Sequence, residues 1–233
     1  MLKIAHRGVS GLAPENTRAA FKKAIDCGMD MIELDLQMSK DGHFVICHDF
    51  NLKRIAGVDA LVSELKLSEL KDLDIGSWYD ETFFKERMMT LEEVIKLTKN
   101  KIKLNLEYKI PIPNYKETVA RLIDLLVKFG VEEEVLISSF NHNVIKYLKK
   151  YKLNLETAIL SYALAVNPVN LLVDAKADVF NAHYLLANQQ LVNQIQTAGY
   201  KINIWTVNQP KLIEKFKSFG VDGIMTDYPD LLK

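Results

Sequence analysis

Short apolar runs alternate along the whole chain with longer stretches in which apolar residues recur every three or four positions. The runs at residues 3–6, 31–36, 103–108, 135–139, 157–161, 178–182, 201–206 and 222–226 predict β-strands. The stretches at 17–27, 90–99, 114–129, 142–150, 167–175, 188–198 and 209–218 predict amphipathic helices between them. In the first helix Ala20, Phe21, Ala24 and Ile25 form the apolar stripe, with Asn16 expected as N-cap and Gly28 as C-cap. Strand and helix in regular alternation are the pattern of βα units around a parallel sheet.

Eight such strands can close into a barrel or stay open as a doubly wound sheet, and periodicity does not choose between them. The polar residues do. His6, Glu33 with Asp35, Glu107 with Lys109, Ser138 with Ser139, Asn181 with His183, Trp205 with Thr206, and Thr226 with Asp227 fall at or just beyond the strands' C-terminal ends. In a barrel those ends converge on one mouth, where such folds place their chemistry; an open sheet spreads them apart. The expected class is therefore α/β, a single (β/α)8 TIM barrel forming one domain over residues 1–233.

Residues 37–89 do not fit the repeat, being far too long for a βα loop. Asp41-Gly42 signals a two-residue hairpin, so the second strand is expected to run out to Met38 and return along 44–48. With Lys40 opposite His43, Asp35 falls opposite His48, which places Glu33, Asp35 and His48 on one face. The remainder, with Trp78, Tyr79, Phe83 and Phe84, is expected to form a small cap insertion beside the mouth.

Composition narrows the class of partner. Lys plus Arg equals Asp plus Glu at 30 each, so no global field draws the chain to nucleic acid or an anionic membrane. A small molecule is the expected partner. Cys27 and Cys47 are too few for a disulfide framework or a paired-cysteine zinc site, and both are expected as small buried residues. The opening residues already form a strand, leaving no room for a signal peptide, and no apolar run is long enough to span a membrane; the expected address is the cytoplasm, without stable membrane anchoring.

Glu33, Asp35 and Glu107 are expected to converge, and three close carboxylates do not all stay ionised without a cation. Hard oxygen ligands suit one divalent cation, Mg²⁺ or Ca²⁺, rather than zinc. His6 and His48 arrive on different elements, and two imidazoles titrating near neutrality suit general base and general acid work. Arg7 offers a planar fork that matches a phosphate, and Lys109 adds a point charge. Trp205 either stacks on the organic part of a substrate or is an ordinary core aromatic. His43 and His142 read as structural, and His183 is open. No P-loop, Rossmann fingerprint or Gly-x-Ser-x-Gly elbow occurs.

These residues also resemble a known family. His6-Arg7-Gly8, Ala13-Pro14-Glu15-Asn16-Thr17, Ile32-Glu33-Leu34-Asp35, Lys40-Asp41-Gly42, His48-Asp49, Leu106-Glu107-Tyr108-Lys109, Trp205-Thr206-Val207-Asn208 and the stretch from Val221 to Pro229 look like the ordered motifs of glycerophosphodiester phosphodiesterases. The resemblance implies a barrel fold and hydrolysis of a small-molecule glycerophosphodiester to glycerol 3-phosphate and an alcohol. It implies His6 as proton acceptor, His48 as proton donor, and Arg7 and Lys109 on the phosphate. Glu33, Asp35 and Glu107 would hold the divalent cation, Glu15 would lie beside the site, and Trp205 would contact substrate. A lysophospholipase D on the same scaffold is the close rival, and a non-catalytic phosphate-binding barrel the distant one. With no Ser, Thr or Cys inside the His-Arg-Gly, Glu-x-Asp or His-Asp motifs, either water or a substrate hydroxyl must attack phosphorus.

Overall fold

The computed structural model describes residues 1–109, 114–151, 153–163 and 165–232. Among them eight parallel strands form a closed barrel: β1 (Leu2–His6), β2 (Met31–Met38), β4 (Lys103–Tyr108), β5 (Val135–Ser139), β6 (Glu156–Ser161), β7 (Val179–His183), β8 (Lys201–Trp205) and β9 (Gly223–Thr226). Closure comes from β1, which pairs with both β2 and β9. The expected barrel is the one found. A further strand, β3 (Phe44–Ile46), runs antiparallel to β2.

Alternation along the strands gives the barrel two buried faces. Outward residues such as Ile32, Leu34, Leu104, Ile137, Phe180 and Ile204 belong to the main apolar core, shared with the helices. The helices are α1 (Arg18–Asp26), α4 (Leu91–Thr98), α5 (Tyr115–Phe129), α6 (His142–Leu148), α7 (Pro168–Ala175), α8 (Gln189–Thr197) and α9 (Pro210–Ser218). Inward residues Ile4, Met31, Leu136, Ala158, Val179 and Met225 fill the barrel floor. One step toward the mouth the inward positions turn polar. There Ser138 Oγ donates to Asn105 Oδ1 at 2.8 Å and Asn203 Nδ2 to Asn181 Oδ1 at 3.0 Å, which satisfies groups that are otherwise costly to bury.

Three local expectations are corrected. The N-cap of α1 is Thr17, whose hydroxyl accepts from the Ala20 amide at 3.3 Å, because Asn16 spends its side chain on Asp35. At the other end the cap is Cys27, and Gly28 is the next residue, at φ 65. Cys27 is consequently exposed; only Cys47 is buried.

The hairpin register is also shifted by one residue. Met38 pairs with Phe44 and Leu36 with Ile46, and the Cys47 amide donates to the Asp35 carbonyl at 2.9 Å. Asp35 therefore lies opposite Cys47, not His48. The loop holds three residues, Lys40 to Gly42, because the Ser39 hydroxyl accepts from the His43 amide at 2.9 Å and donates to Asp41 at 2.7 Å, with Gly42 at φ 83. His48 reaches the mouth from the turn after β3, where strand alternation no longer applies. Gln37 fixes that turn: its Nε2 lies 2.8, 3.2 and 2.9 Å from the carbonyls of Cys47, His48 and Asp49.

The insertion continues through the short helices α2 (Lys53–Ala56) and α3 (Leu67–Asp72). It has its own small core, in which Val45, Cys47, Leu52, Ile55, Val62, Leu70, Ile75 and Met88 pack together. It touches the loop after β1, where Tyr79 donates its hydroxyl to the Gly11 carbonyl at 2.8 Å. No helix among the described residues is long and apolar enough to cross a membrane.

The chain leaves β1 through Arg7 at φ 54 and Gly8 at φ 80, two consecutive left-handed residues. A Cβ on Gly8 would lie 2.7 Å from the Ala20 Cβ and 2.8 Å from its carbonyl carbon. Gly8→Ala should therefore cost about 2 to 3 kcal/mol, from backbone strain plus overpacking against α1. Denaturant unfolding measures this, and an unchanged midpoint would contradict the packing described.

Candidate active site

The side chains at the mouth are set by register. His6 pairs with Glu33 across β1 and β2, Asp35 with Glu107 across β2 and β4, and Glu107 with Ser138 across β4 and β5. Glu33, Asp35 and Glu107 thus come from adjacent strands, and one oxygen of each lies within 4.8 Å of the others. His6, Arg7, Glu33, His48, Glu107 and Lys109 line one cavity together with Trp205 and Tyr162. A larger groove outside the barrel, bordered by Gly42, Lys96 and Arg121, holds none of them.

Each charged group has fixed partners. Asp35, 1% exposed, receives Asn16 Nδ2 at 2.8 Å and Lys109 Nζ at 2.9 Å, and Lys109 also reaches Glu107 at 2.7 Å. The Arg7 amide donates to Glu33 at 3.0 Å. Its guanidinium donates to Glu15 at 3.0 Å, while its buried Nε makes no hydrogen bond and faces Asp35 at 3.5 Å. Glu15 therefore sits beside Arg7.

The histidines each rest on a carboxylate. His6 Nδ1 is 2.7 Å from Asp227 Oδ1, and Asp227 also accepts from Ser10 and Asn208. His48 Nδ1 is 2.7 Å from Asp49 Oδ1. Ionised carboxylates only accept, so Nδ1 carries the hydrogen in both rings, and Nε2 keeps its lone pair when the ring is neutral. For His6 that nitrogen lies 4.0 Å from Glu33.

The electrostatics separate the three carboxylates. Burial, then the neighbouring Asp35 charge, pushes Glu33 up to about 8, with His6 opposing. Glu107 is raised by burial and then Asp35. Burial also works against Asp35, but Lys109, then Arg7 and His48, hold it well below the usual carboxylate range. The trio is short of positive charge: Asp35 is neutralised, while both its neighbours are shifted toward the protonated form. Three hard oxygen donors in this state could hold a divalent cation, whose charge would let all three ionise.

The imidazoles move in opposite directions. Burial lowers His6, but its bond to Asp227 and the Glu33 charge outweigh this and raise it. His48 is lowered, by burial first, with Arg7 and Lys109 adding and Asp35 opposing.

Trp205 closes one wall, its Nε1 donating to the Asn181 carbonyl at 3.0 Å and its ring packed edge-on against Phe140, Tyr162 and His183 at 5.8, 5.0 and 5.0 Å. His183 belongs to that aromatic group. His142 bonds the Leu160 carbonyl at 3.0 Å, and His43 lies at the hairpin tip, 4.0 Å from Asp41; both are structural. Sequence reasoning gave no role to Asp49, Asp227 and Arg54 and read Asn16 as a helix cap. Asp49 and Asp227 were visible inside motifs, but the contact of Asp227 with His6, 221 positions away, is one that spacing does not encode.

A closed parallel barrel that gathers carboxylates, imidazoles and cations at its strand C-terminal ends is an enzyme of the (β/α)8 class. The sequence model of the glycerophosphoryl diester phosphodiesterase family matches residues 6–231. A glycerophosphodiester phosphodiesterase from Caldanaerobacter subterraneus subsp. tengcongensis is 38% identical over 232 residues, 99% of this chain and 96% of that protein. One from Bacillus altitudinis is 35% identical over 236 residues, again 99% of this chain and 96% of the relative. A solved phosphodiesterase from Oleispira antarctica, in complex with the product sn-glycerol-3-phosphate, has a TM-score of 0.93 at 33% identity, covering 98% of this chain and 94% of that one. The chain belongs to the glycerophosphoryl diester phosphodiesterase family and is a hydrolase of phosphodiesters.

Proposed function

We propose that the whole chain acts as one barrel domain that hydrolyses a small-molecule glycerophosphodiester to glycerol 3-phosphate and an alcohol, in the cytoplasm. His6 and His48 move the protons, and Glu33, Asp35 and Glu107 hold one divalent cation. The observation that carries this reading is the meeting of the acidic trio, within 4.8 Å, with His6 Nε2 at 4.0 Å from Glu33. The Oleispira antarctica relative's product supports the substrate class.

A bound cation would supply charge against the phosphoryl oxygens. The chain's own groups do the rest. Arg7 and Lys109 bring fixed positive charge to the phosphate, with Glu15 and Asp35 aiming the Arg7 fork. His6, its Nδ1 hydrogen spent on Asp227, presents a lone pair on Nε2 and accepts the attacking hydroxyl's proton. His48 donates to the leaving alcohol oxygen. Trp205 borders the organic part of the substrate.

The attacking oxygen is the substrate's own hydroxyl beside the phosphoester carbon, because tethered groups reach effective molarities of about 10⁵ M or more. A cyclic glycerol phosphate forms, the alcohol leaves, and water then opens the ring. A glycerophosphodiester should turn over to glycerol 3-phosphate, while the same substrate methylated at that hydroxyl binds but barely reacts. No turnover of any glycerophosphodiester with either metal overturns the function; equal cleavage of the two substrates overturns only the cyclic route.

A further inference from the structure

Arg54 lies on α2 of the insertion and does not line the cavity. Its guanidinium nonetheless spends three donors on two carboxylates that do face site residues. Nε donates to Asp49 Oδ2 at 2.6 Å, Nη1 to Glu15 Oε2 at 3.1 Å and Nη2 to Glu15 Oε1 at 2.7 Å. The Trp78 ring lies against it, 4.9 Å from centroid to Cζ. Beyond these carboxylates stand His48, bonded to Asp49 Oδ1 at 2.7 Å, and Arg7, bonded to Glu15 Oε1 at 3.0 Å. One side chain is thus a single carboxylate removed from a proton-transferring imidazole and from the guanidinium aimed at phosphate.

We infer that Arg54 is a positioning residue that orients His48 through Asp49 and Arg7 through Glu15 at the same time, tying the insertion to the active site; this deepens the proposed function and rests on it. His48 needs such support because it stands past the last paired residue of β3. Gln37 holds the backbone of that turn but not the ring. Asp49 fixes the ring, and Arg54 fixes Asp49. An exposed ion pair normally contributes little, but a forked guanidinium bridging two carboxylates and stacked on an indole is geometrically specific. A lysine keeps the charge yet cannot reproduce the three-donor fork.

The test combines kinetics of the full chain with proton NMR of the His48 ring. Arg54→Met should lower kcat by about 10²-fold, as expected when a catalytic group is misplaced by about 1 Å, and raise KM through the loosened Arg7. Arg54→Lys should recover little of either, whereas millimolar guanidinium should restore part of kcat to Arg54→Ala. Combined with Asp49→Asn, Arg54→Met should add almost no further loss in kcat, since both reach kcat through His48, while the rise in KM through Glu15 and Arg7 persists. The His48 Nδ1 proton, assigned by its absence in His48→Ala, should be protected in the wild type and lost in Arg54→Met. Near wild-type kcat and KM in Arg54→Met, or an unchanged His48 signal, would overturn the inference. The NMR arm decides it even if no glycerophosphodiester is cleaved.

Discussion

His6→Ala and His48→Ala are each expected to lower kcat by about 10² to 10⁴ while changing substrate affinity little, because each transfers a proton and neither supplies the phosphate's main charge contacts. The double variant should fall little further than the worse single one, since the same cleavage step needs both. The pH profile of kcat/KM should be bell-shaped, its two values belonging to the coupled pair. Because Asp227 and Glu33 raise the proton acceptor His6 while burial lowers the donor His48, the form with neutral His6 and protonated His48 is never the dominant one, and the acid limb should lie below the ordinary imidazole value of about 6.5 and the alkaline limb above it. A cation on Glu33 opposes the His6 proton, so raising the metal concentration should move the alkaline limb down and raise the maximum. Opposite shifts of the two rings therefore lower the maximum rather than narrow the optimum. Near wild-type turnover in the double variant would remove both histidines from the mechanism.

Chelation is expected to abolish turnover, and adding back Mg²⁺ or Ca²⁺ to restore it, because burial and the Asp35 charge push Glu33 up to about 8 and also raise Glu107, a cost that a nearby dication would offset. Glu33→Gln and Glu107→Gln should each weaken metal binding, read by calorimetry, with little effect on folding. Asp35→Ala should behave differently. It removes the partner shared by Lys109, Asn16 and Arg7 at 1% exposure, so it should also destabilise the fold by about 3 to 5 kcal/mol, the cost of breaking a buried charge pair. Full activity in excess chelator would refute the metal assignment, and thermal unfolding of the three variants separates it from a folding defect.

The strand and helix repeat was legible in the sequence because each strand is buried on both faces and each helix on one, and polar residues at the strand ends then distinguished a barrel from an open sheet. The same pattern exposed Glu33, Asp35 and Glu107, whose polarity interrupts otherwise apolar strands at inward positions. Arg7, His6 and His48 were legible from short motifs. The hairpin register was not: Asp41-Gly42 serves two- and three-residue loops equally, and the Ser39 hydroxyl, a local contact, selects the longer one. That one-residue difference moved His48 from a strand face to a turn held by Gln37. Likewise Asn16 looked like a helix cap because its type suits one, until Asp35 was folded against it.

The chain's sequence by itself determined the order of its elements, through periodic burial, and the closed sheet with the chemical types gathered at its mouth, through the polar residues at the strands' C-terminal ends. Only the tertiary structure decided which carboxylate is neutralised by Lys109, which nitrogen of His6 is free, and that Arg54 joins the insertion to both His48 and Arg7. Those outcomes depend on distances between residues far apart in the chain, such as His6 and Asp227, and hydrogen bonds and charges are sensitive to tenths of an ångström that no spacing along the chain records.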